Sequence, residues 1–444
     1  MGTTAAPSSS LTHDEIDFAD LTQWMGPDRE RMLLGMRQAK GLVFFDEPDY
    51  ADPTTGVQIL PPGPGYWALA RHADVSQVSR NASLFRSAPS SQIADLPAEM
   101  GEWLGSIINM DAPKHTKLRG IVNRGFTPKQ VARIEDSVRQ QAREIADTLG
   151  PRGECDFVSE IAAMLPLQII CDMMGIPRAD LPRIYELTNI ILGVGDPEMV
   201  STMEQLMAAG MELHQYGLAL GEDRLVNPTD DIVSRLMHAE LDGDGFEDTA
   251  HGGTDDGEVH GHRLTPSELG SFFLLLVVAG NETTRTAISH GLWAMTQFPD
   301  QKQRWLADVD GLGATAVEEI VRWATPVIHF RRTAVEDVVI GGTEVKAGDK
   351  VVMFYNSANR DEAVFEDPYR FDLGRTPNDH FGFGGGGPHF CLGANLARRE
   401  IRVMFEEIFR VMPDIEATAE PDMLQSAFIH GIKRMPVKWT PTKG

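Results

Sequence analysis

Phe383-Gly-Gly-Gly-Gly-Pro-His-Phe-Cys391-Leu-Gly393 runs directly into Ala394-Asn-Leu-Ala-Arg-Arg-Glu-Ile401. Four consecutive glycines are costly to order, and a turn that passes close against a flat ligand supplies a reason for them. Cys391 stands just before an amphipathic helical pattern, where backbone N–H groups and the positive dipole end favour a thiolate over a thiol. A thiolate held there can ligate iron, and a haem held through cysteine is the arrangement that favours O–O cleavage. The plainer reading is a buried free cysteine in a glycine loop.

Three further stretches carry polar residues of interest. Leu264-Thr-Pro-Ser-Glu268 opens a helix with a good N-terminal signature, which continues as Phe272-Phe-Leu-Leu-Leu-Val-Val-Ala279-Gly280-Asn-Glu282-Thr283-Thr284. Its front half is hydrophobic on every side, as expected for a helix crossing a domain's centre. A mid-helix threonine can bond the carbonyl one turn back and bend the helix, and a glycine beside it lets the backbone approach a ligand. A carboxylate next to a hydroxyl in such surroundings is expensive unless it is used, for example to relay protons. The bland alternative is a polar helix end near solvent. His115 and Arg119 lie at i and i+4 behind Pro113 and share a helix face. Two donors one turn apart can grip a pair of carboxylates, or simply form a solvated basic face. Glu319 and Arg322, at i and i+3, read by themselves as an ordinary surface salt bridge.

In this order, HxxxR, AGxETT, ExxR and the cysteine loop resemble the cytochrome P450 family over roughly residues 60–440. The resemblance implies a mainly α fold with small β-sheets, a single monooxygenase domain over 16–444 in which a triangular prism of helices surrounds haem b, with no other metal. It makes Cys391 the axial ligand of the iron, followed by Gly393, with Phe383 shielding the sulfur. Phe383 stands eight residues before Cys391, one more than the commonest family spacing. Ala279 and Gly280 would lie above the haem. His115, Arg119, Arg332 (with Arg331 the neighbouring alternative) and His389 would reach its propionates. Glu282 and Thr283 inherit the acid–alcohol pair that delivers protons to bound oxygen. Glu319, Arg322 and Arg370 match a buried structural Glu-Arg-Arg cluster. Val278, Val327 and Ile328 are expected to face the substrate pocket. The loop 87–106 should form one wall, the break at Gly193–Pro197 part of the lid, and Leu424–Ile432 a turn reaching the far side.

The net charge of −25 argues against nucleic acid or an anionic membrane surface as a partner. Three irregularly spaced cysteines, Cys155, Cys171 and Cys391, suggest no disulfide framework and fit a reducing compartment. The N-terminus lacks the basic and apolar regions of a signal peptide, and no apolar run is long enough for a membrane anchor, so a cytoplasmic protein is expected. Residues 1–15 read as disordered and 241–262 as a flexible acidic, Gly-rich insertion. His251, His260 and His262 in that insertion have poor spacing for a metal. The chain carries no flavin-type reductase signature, so the resemblance implies electrons from a ferredoxin and its ferredoxin reductase. Lys117, Arg124, Arg398 and Arg402 are the expected basic patch for docking.

Within the family, Asn109-Met-Asp-Ala-Pro113, Val321-Arg-Trp-Ala-Thr-Pro-Val327 and Cys391-Leu-Gly-Ala-Asn-Leu-Ala-Arg398 look similar to actinobacterial hydroxylases of sterol side chains and methyl-branched lipids. The resemblance therefore implies O2-dependent hydroxylation of a small hydrophobic substrate, at the terminal carbon of a steroid side chain or methyl-branched lipid. A terpene hydroxylase of the same family is the alternative. The intact Glu282-Thr283 pair argues against a peroxygenase, and a haem sensor or electron carrier would need neither that pair nor the long loop.

Overall fold

The computed structural model describes most of residues 7–443; the longest stretches outside the description are 48–59, 96–102, 127–131 and 239–263. The apolar segment behind Leu264 forms one 32-residue helix, Pro266–Gln297, roughly 48 Å long at the usual rise per residue. A helix apolar on all sides must be surrounded to be stable. It is packed by Met164–Met174, Met203–Val226, Val309–Ala324 and Ala394–Val411. The main core forms along it, with Phe273, Val277, Ile288 and Met295 fully buried.

Ala394–Val411 turns Ile401, Met404, Phe405 and Ile408 into that core. Its outer face carries Arg402 and Arg410, paired with Glu406 and Glu407. Because the cysteine loop enters this helix directly, packing against the central helix fixes where Cys391 stands.

A five-stranded sheet forms a second layer, in the order Val43–Phe45, Tyr66–Leu69, Lys350–Phe354, His329–Ala334, Phe85–Arg86. Tyr66–Leu69 and Lys350–Phe354 run parallel, and the other pairs antiparallel. Arg331 and Arg332 pair with Val352 and Val351. Neighbouring strand residues point to opposite faces, so the two arginines part company. Arg332 turns toward the central helix, while Arg331 ion-pairs with Asp95 at 2.7 Å and donates to the Ile93 carbonyl at 3.1 Å. Arg331 thereby holds the loop that follows Phe85–Arg86 against the sheet.

The Glu-Arg-Arg cluster is present, but with a different third member. Glu319 and Arg322 are completely buried and joined by two bonds of 2.8 and 2.7 Å. Arg375, not Arg370, brings the second guanidinium, with Nε 3.1 Å from Glu319. The Arg370 side chain is exposed, and only its carbonyl takes part, accepting from Arg375 at 2.9 Å. A turn beginning at Asp367, in the left-handed region at φ 44°, closes with the Arg370 amide on the Asp367 carbonyl and sends that side chain outward.

Of the first fifteen residues, expected to be disordered, Leu11 is buried and its amide donates to the Arg31 carbonyl at 3.1 Å; several others lie outside the description. The insertion 241–262, with His251, His260 and His262, lies wholly outside the described residues. Among the described residues no helix is long and apolar enough to cross a membrane.

Candidate active site

One cavity of about 230 Å³ opens between the central helix and the cysteine loop. Ala279, Gly280, Thr283 and Thr284 form its upper side; Phe383, His389, Cys391 and Gly393 form the lower one. The Cys391 amide donates to the Phe383 carbonyl at 3.0 Å, closing the loop, and the Sγ side chain is accessible to the cavity. Gly384, Gly386 and Gly387 have φ between 78° and 91°, where a side chain is strained. A Cβ on Gly387 would also stand 2.3 Å from the Ser79 carbonyl oxygen. The glycine run thus serves close packing on the end of the His72–Arg80 helix as well as approach to the cavity.

Burial pushes the Cys391 thiol up, against the pull of the Gly393 amide, Arg119 and Arg398. A metal bound there overrides burial, since a coordinating thiol is deprotonated outright. Arg398 also lies over the Phe383 ring at 4.4 Å and is held by Glu318 at 2.5 Å. His380 meets the same carboxylate at 3.0 Å. Although burial opposes it, these two partners bring Glu318 down to about 2.

At one end of the cavity two arginines and two histidines gather; Asp111 acts on Arg332 and His115 from a distance, and among the described residues neither arginine has an ion-pair partner. Arg332 is buried and donates to the Arg331 carbonyl at 2.7 Å; Arg119 donates to the Phe390 carbonyl. Burial lowers both guanidinium pKa values. His389 is brought down to about 2 by burial, then by Arg332, His115 and Arg119. His115 stands behind it, ring centroids 4.2 Å apart, with a buried Nε2 that has no hydrogen-bond partner among the described residues. Desolvated donors that repel one another call for negative charge, and a pair of carboxylates entering from the cavity supplies it. The site therefore fits a flat ligand with two acidic side arms and a metal facing Cys391.

On the central helix, the lining residues Leu275, Ala279, Thr283 and Ala287 recur every fourth position, as do Leu276, Gly280 and Thr284. Thr283 Oγ1 donates to the Ala279 carbonyl at 2.9 Å. Val278 and Glu282 belong to the neighbouring row, one residue or about 100° round the helix, and neither lines the cavity. Val278 is buried in the core. Glu282 is buried in an ion pair with Arg285 and accepts from Thr286 Oγ1 at 3.3 Å. Arg285 is held in turn by Asn189 at 2.7 Å. The expectation that Glu282 stands beside Thr283 at the cavity is thus corrected by helix geometry.

Val327 lines the cavity as expected, whereas Ile328 points to the other side, into a cluster with Trp24 and Phe354. The Leu424–Ile432 turn does not reach the cavity wall; Ile429 bridges to the Val327 backbone instead. Arg124 lies outside the described residues. Arg398 and Arg402, expected in a basic patch, are largely compensated by Glu318, Glu406 and Asp310.

The acid that does face the cavity is Glu400, which is 2% exposed. Burial pushes its carboxyl up to about 8, although Thr284 hydrogen-bonds to it. The signal was in the sequence: Glu400 falls one turn after Leu396 and just before Ile401, on the apolar face of an amphipathic helix.

The family model described as Cytochrome P450 matches residues 88–413. A methyl-branched lipid omega-hydroxylase of Mycobacterium tuberculosis is 51% identical over 439 residues, covering 98% of this chain and 97% of that protein. A steroid C26-monooxygenase of Mycolicibacterium smegmatis is 42% identical over 381 residues, 85% of this chain and 84% of that protein. Among solved structures, a Mycobacterium marinum cytochrome P450 in complex with pseudoionone superposes with a TM-score of 0.86. It is 41% identical and covers 97% of this chain and 100% of that one. A cysteine facing a threonine across a cavity with buried arginines at one end, together with these likenesses, places the chain in the cytochrome P450 family, with haem as its cofactor.

Proposed function

We propose that this haem monooxygenase hydroxylates the terminal carbon of a long, mainly apolar substrate, a methyl-branched lipid or a steroid side chain. The observation that carries the reading is the cavity itself: Thr283 and Cys391 face it from opposite sides, and apolar walls of Ile107, Leu275, Leu276 and Val327 lead away. The 51% identity to a methyl-branched lipid omega-hydroxylase supports the choice of substrate class.

Haem, when bound, supplies oxygen activation and C–H hydroxylation. Cys391 would ligate the iron, and Arg119, Arg332 and His389 would hold the two propionates, with His115 supporting His389 from behind. The Thr283 hydroxyl, which donates to the Ala279 carbonyl and faces the cavity opposite Cys391, would supply protons there. Glu400 holds a proton at neutral pH and reaches the same helix segment through Thr284, so it serves as a buried acid behind Thr283. Glu282, clasped by Arg285, acts from the flank of the helix. The apolar walls exclude water and leave only a chain end close to the reactive face.

Electrons come from a ferredoxin that its own reductase recharges. The docking surface we favour is the exposed rim of the cysteine loop at Phe390, with Lys117 on the Lys114–Asn123 helix whose Arg119 donates to the Phe390 carbonyl. Lys117→Glu should lower ferredoxin-supported turnover and flatten its salt dependence while leaving peroxide-supported turnover unchanged. Equal losses with both electron sources rule out docking there. The substrate assignment is tested by product analysis of a methyl-branched lipid and a 3-keto steroid with an intact side chain. Hydroxyl at the terminal methyl supports it; hydroxylation only along the chain or on the ring system overturns it.

A further inference from the structure

A second, smaller cavity of about 40 Å³ lies further along the central helix. It holds a few waters or one small polar group. Ile107 lines both cavities, so the two meet at its side chain. The lining of the central helix runs on without interruption: Ser267 and Ser271 in the small chamber, then Leu275, Ala279 and Thr283 in the large one, four residues apart. The face carries hydroxyls at Ser267 and Ser271, is apolar at Leu275 and Ala279, and bears a hydroxyl again at Thr283 opposite the cysteine. Ser106, next to Ile107 in sequence and also lining the small chamber, sits at φ 40°, a left-handed conformation unusual for serine.

We propose that this outer chamber is the subsite for the polar end of the substrate, and that it takes an uncharged hydrogen-bonding head: a hydroxyl, ketone or ester. The proposal rests on the terminal-hydroxylation reading, which puts the opposite end of the substrate at Thr283. Its charge pattern decides the head group. Lys114 and Glu268 stand 3.5 Å apart in the chamber wall, their side chains 40% and 26% exposed. A carboxylate would have to displace Glu268 from Lys114 and then lie beside it, on a chain that already carries −25. A neutral acceptor needs no such exchange, because an ammonium group has three donors and the serine hydroxyls rotate freely. Twelve residues separate Ser271 from Thr283, about 18 Å along the helix. At about 1.2 Å per bond in an extended chain, that is roughly fifteen bonds.

The test is a spin-state titration of the ferric holoenzyme. The ligands are a methyl-branched alcohol of about sixteen carbons, its methyl ester, the corresponding carboxylate, and a branched alcohol of about eight carbons that cannot span the distance. The wild type should bind the long alcohol and ester about tenfold more tightly than the carboxylate, and Glu268→Gln should narrow that gap. Ser271→Leu, which fills the chamber, should weaken the long alcohol about tenfold and leave the short one unchanged. Ser267→Phe, at an exposed position that tolerates bulk, should show the same pattern if the buried variant fails to fold. A carboxylate that binds as well as the alcohol, or variants that weaken short and long ligands alike or not at all, overturns the proposal. If no long ligand shifts the intact wild-type spectrum, the terminal-hydroxylation reading falls as well, which separates the two failures.

Discussion

Replacing Glu400 by glutamine keeps the side chain's shape and removes its charge, which makes the cost of burying that carboxyl measurable. The free carboxyl has a reference pKa of 4.5, and burial raises Glu400 to about 8 in the folded protein. The folded state therefore holds this proton more tightly than the unfolded chain does. Below pH 4.5 both states are protonated and the residue costs nothing. The cost grows as pH rises through 4.5 and levels off above 8. At pH 7 it amounts to about 2.5 pKa units, or about 3–4 kcal/mol. Unfolding entropy of about 0.9 kcal/mol/K for a chain this size turns that into a gain of roughly 4 °C for Glu400→Gln at pH 7. The thermal midpoint of the holoenzyme, followed at the haem band from pH 5 to 9, reads it out. The gain should be small at pH 5 and larger at each step to pH 8. A difference infrared spectrum should show a protonated-carboxyl carbonyl band that titrates near pH 8 and is absent from the variant. A gain that does not change with pH, or no band titrating between pH 6 and 9, refutes the buried neutral acid.

The same titration bears on catalysis, since product formed per NADH consumed should fall above about pH 8 in the wild type and change less in Glu400→Gln; a wild-type profile flat to pH 9 removes Glu400 from proton supply. Thr283→Ala should retain substrate binding and lose coupling, with peroxide rising as product falls by about 10²-fold, the lower end for a lost acid–base group; unchanged coupling removes Thr283 from the proposed role. Arg375→Ala strips Glu319 of one cation and frees the Arg370 and Glu366 carbonyls, which should cost about 1–3 kcal/mol. Arg370→Ala removes only an exposed side chain and should stay within about 0.5 kcal/mol. Equal thermal shifts for these two variants contradict the cluster described above.

Much of the fold was legible because its strongest signals are local. The apolar run from Phe272 to Val278 could only be a surrounded helix, and Cys391 announces itself by its glycines and the helix behind it. Choices that depend on a rotation of 100° or on the path of a turn were harder to read. Glu282 and Thr283 are neighbours in sequence, yet only the threonine reaches the cavity. Arg370 stands where a family pattern expects an arginine, but the turn at Asp367 hands that place to Arg375. Val327 and Ile328 differ by the alternation of an irregular strand entry, which composition does not reveal. Glu400 was visible as a charge on an apolar helix face. Its partner Thr284 lies more than a hundred residues away in sequence, so only the packing of the two helices joins them.

Optical titration of the purified ferric protein decides whether a thiolate-ligated haem lies beside a cavity made for a long alkyl chain. The protein should show a thiolate-type ferric spectrum, lost in Cys391→Ser, and a saturable shift from low to high spin with a methyl-branched lipid or a 3-keto steroid. A thiolate spectrum that persists in Cys391→Ser contradicts the ligand assignment; a shift with a monoterpene alcohol and none with either long ligand contradicts the lipid pocket.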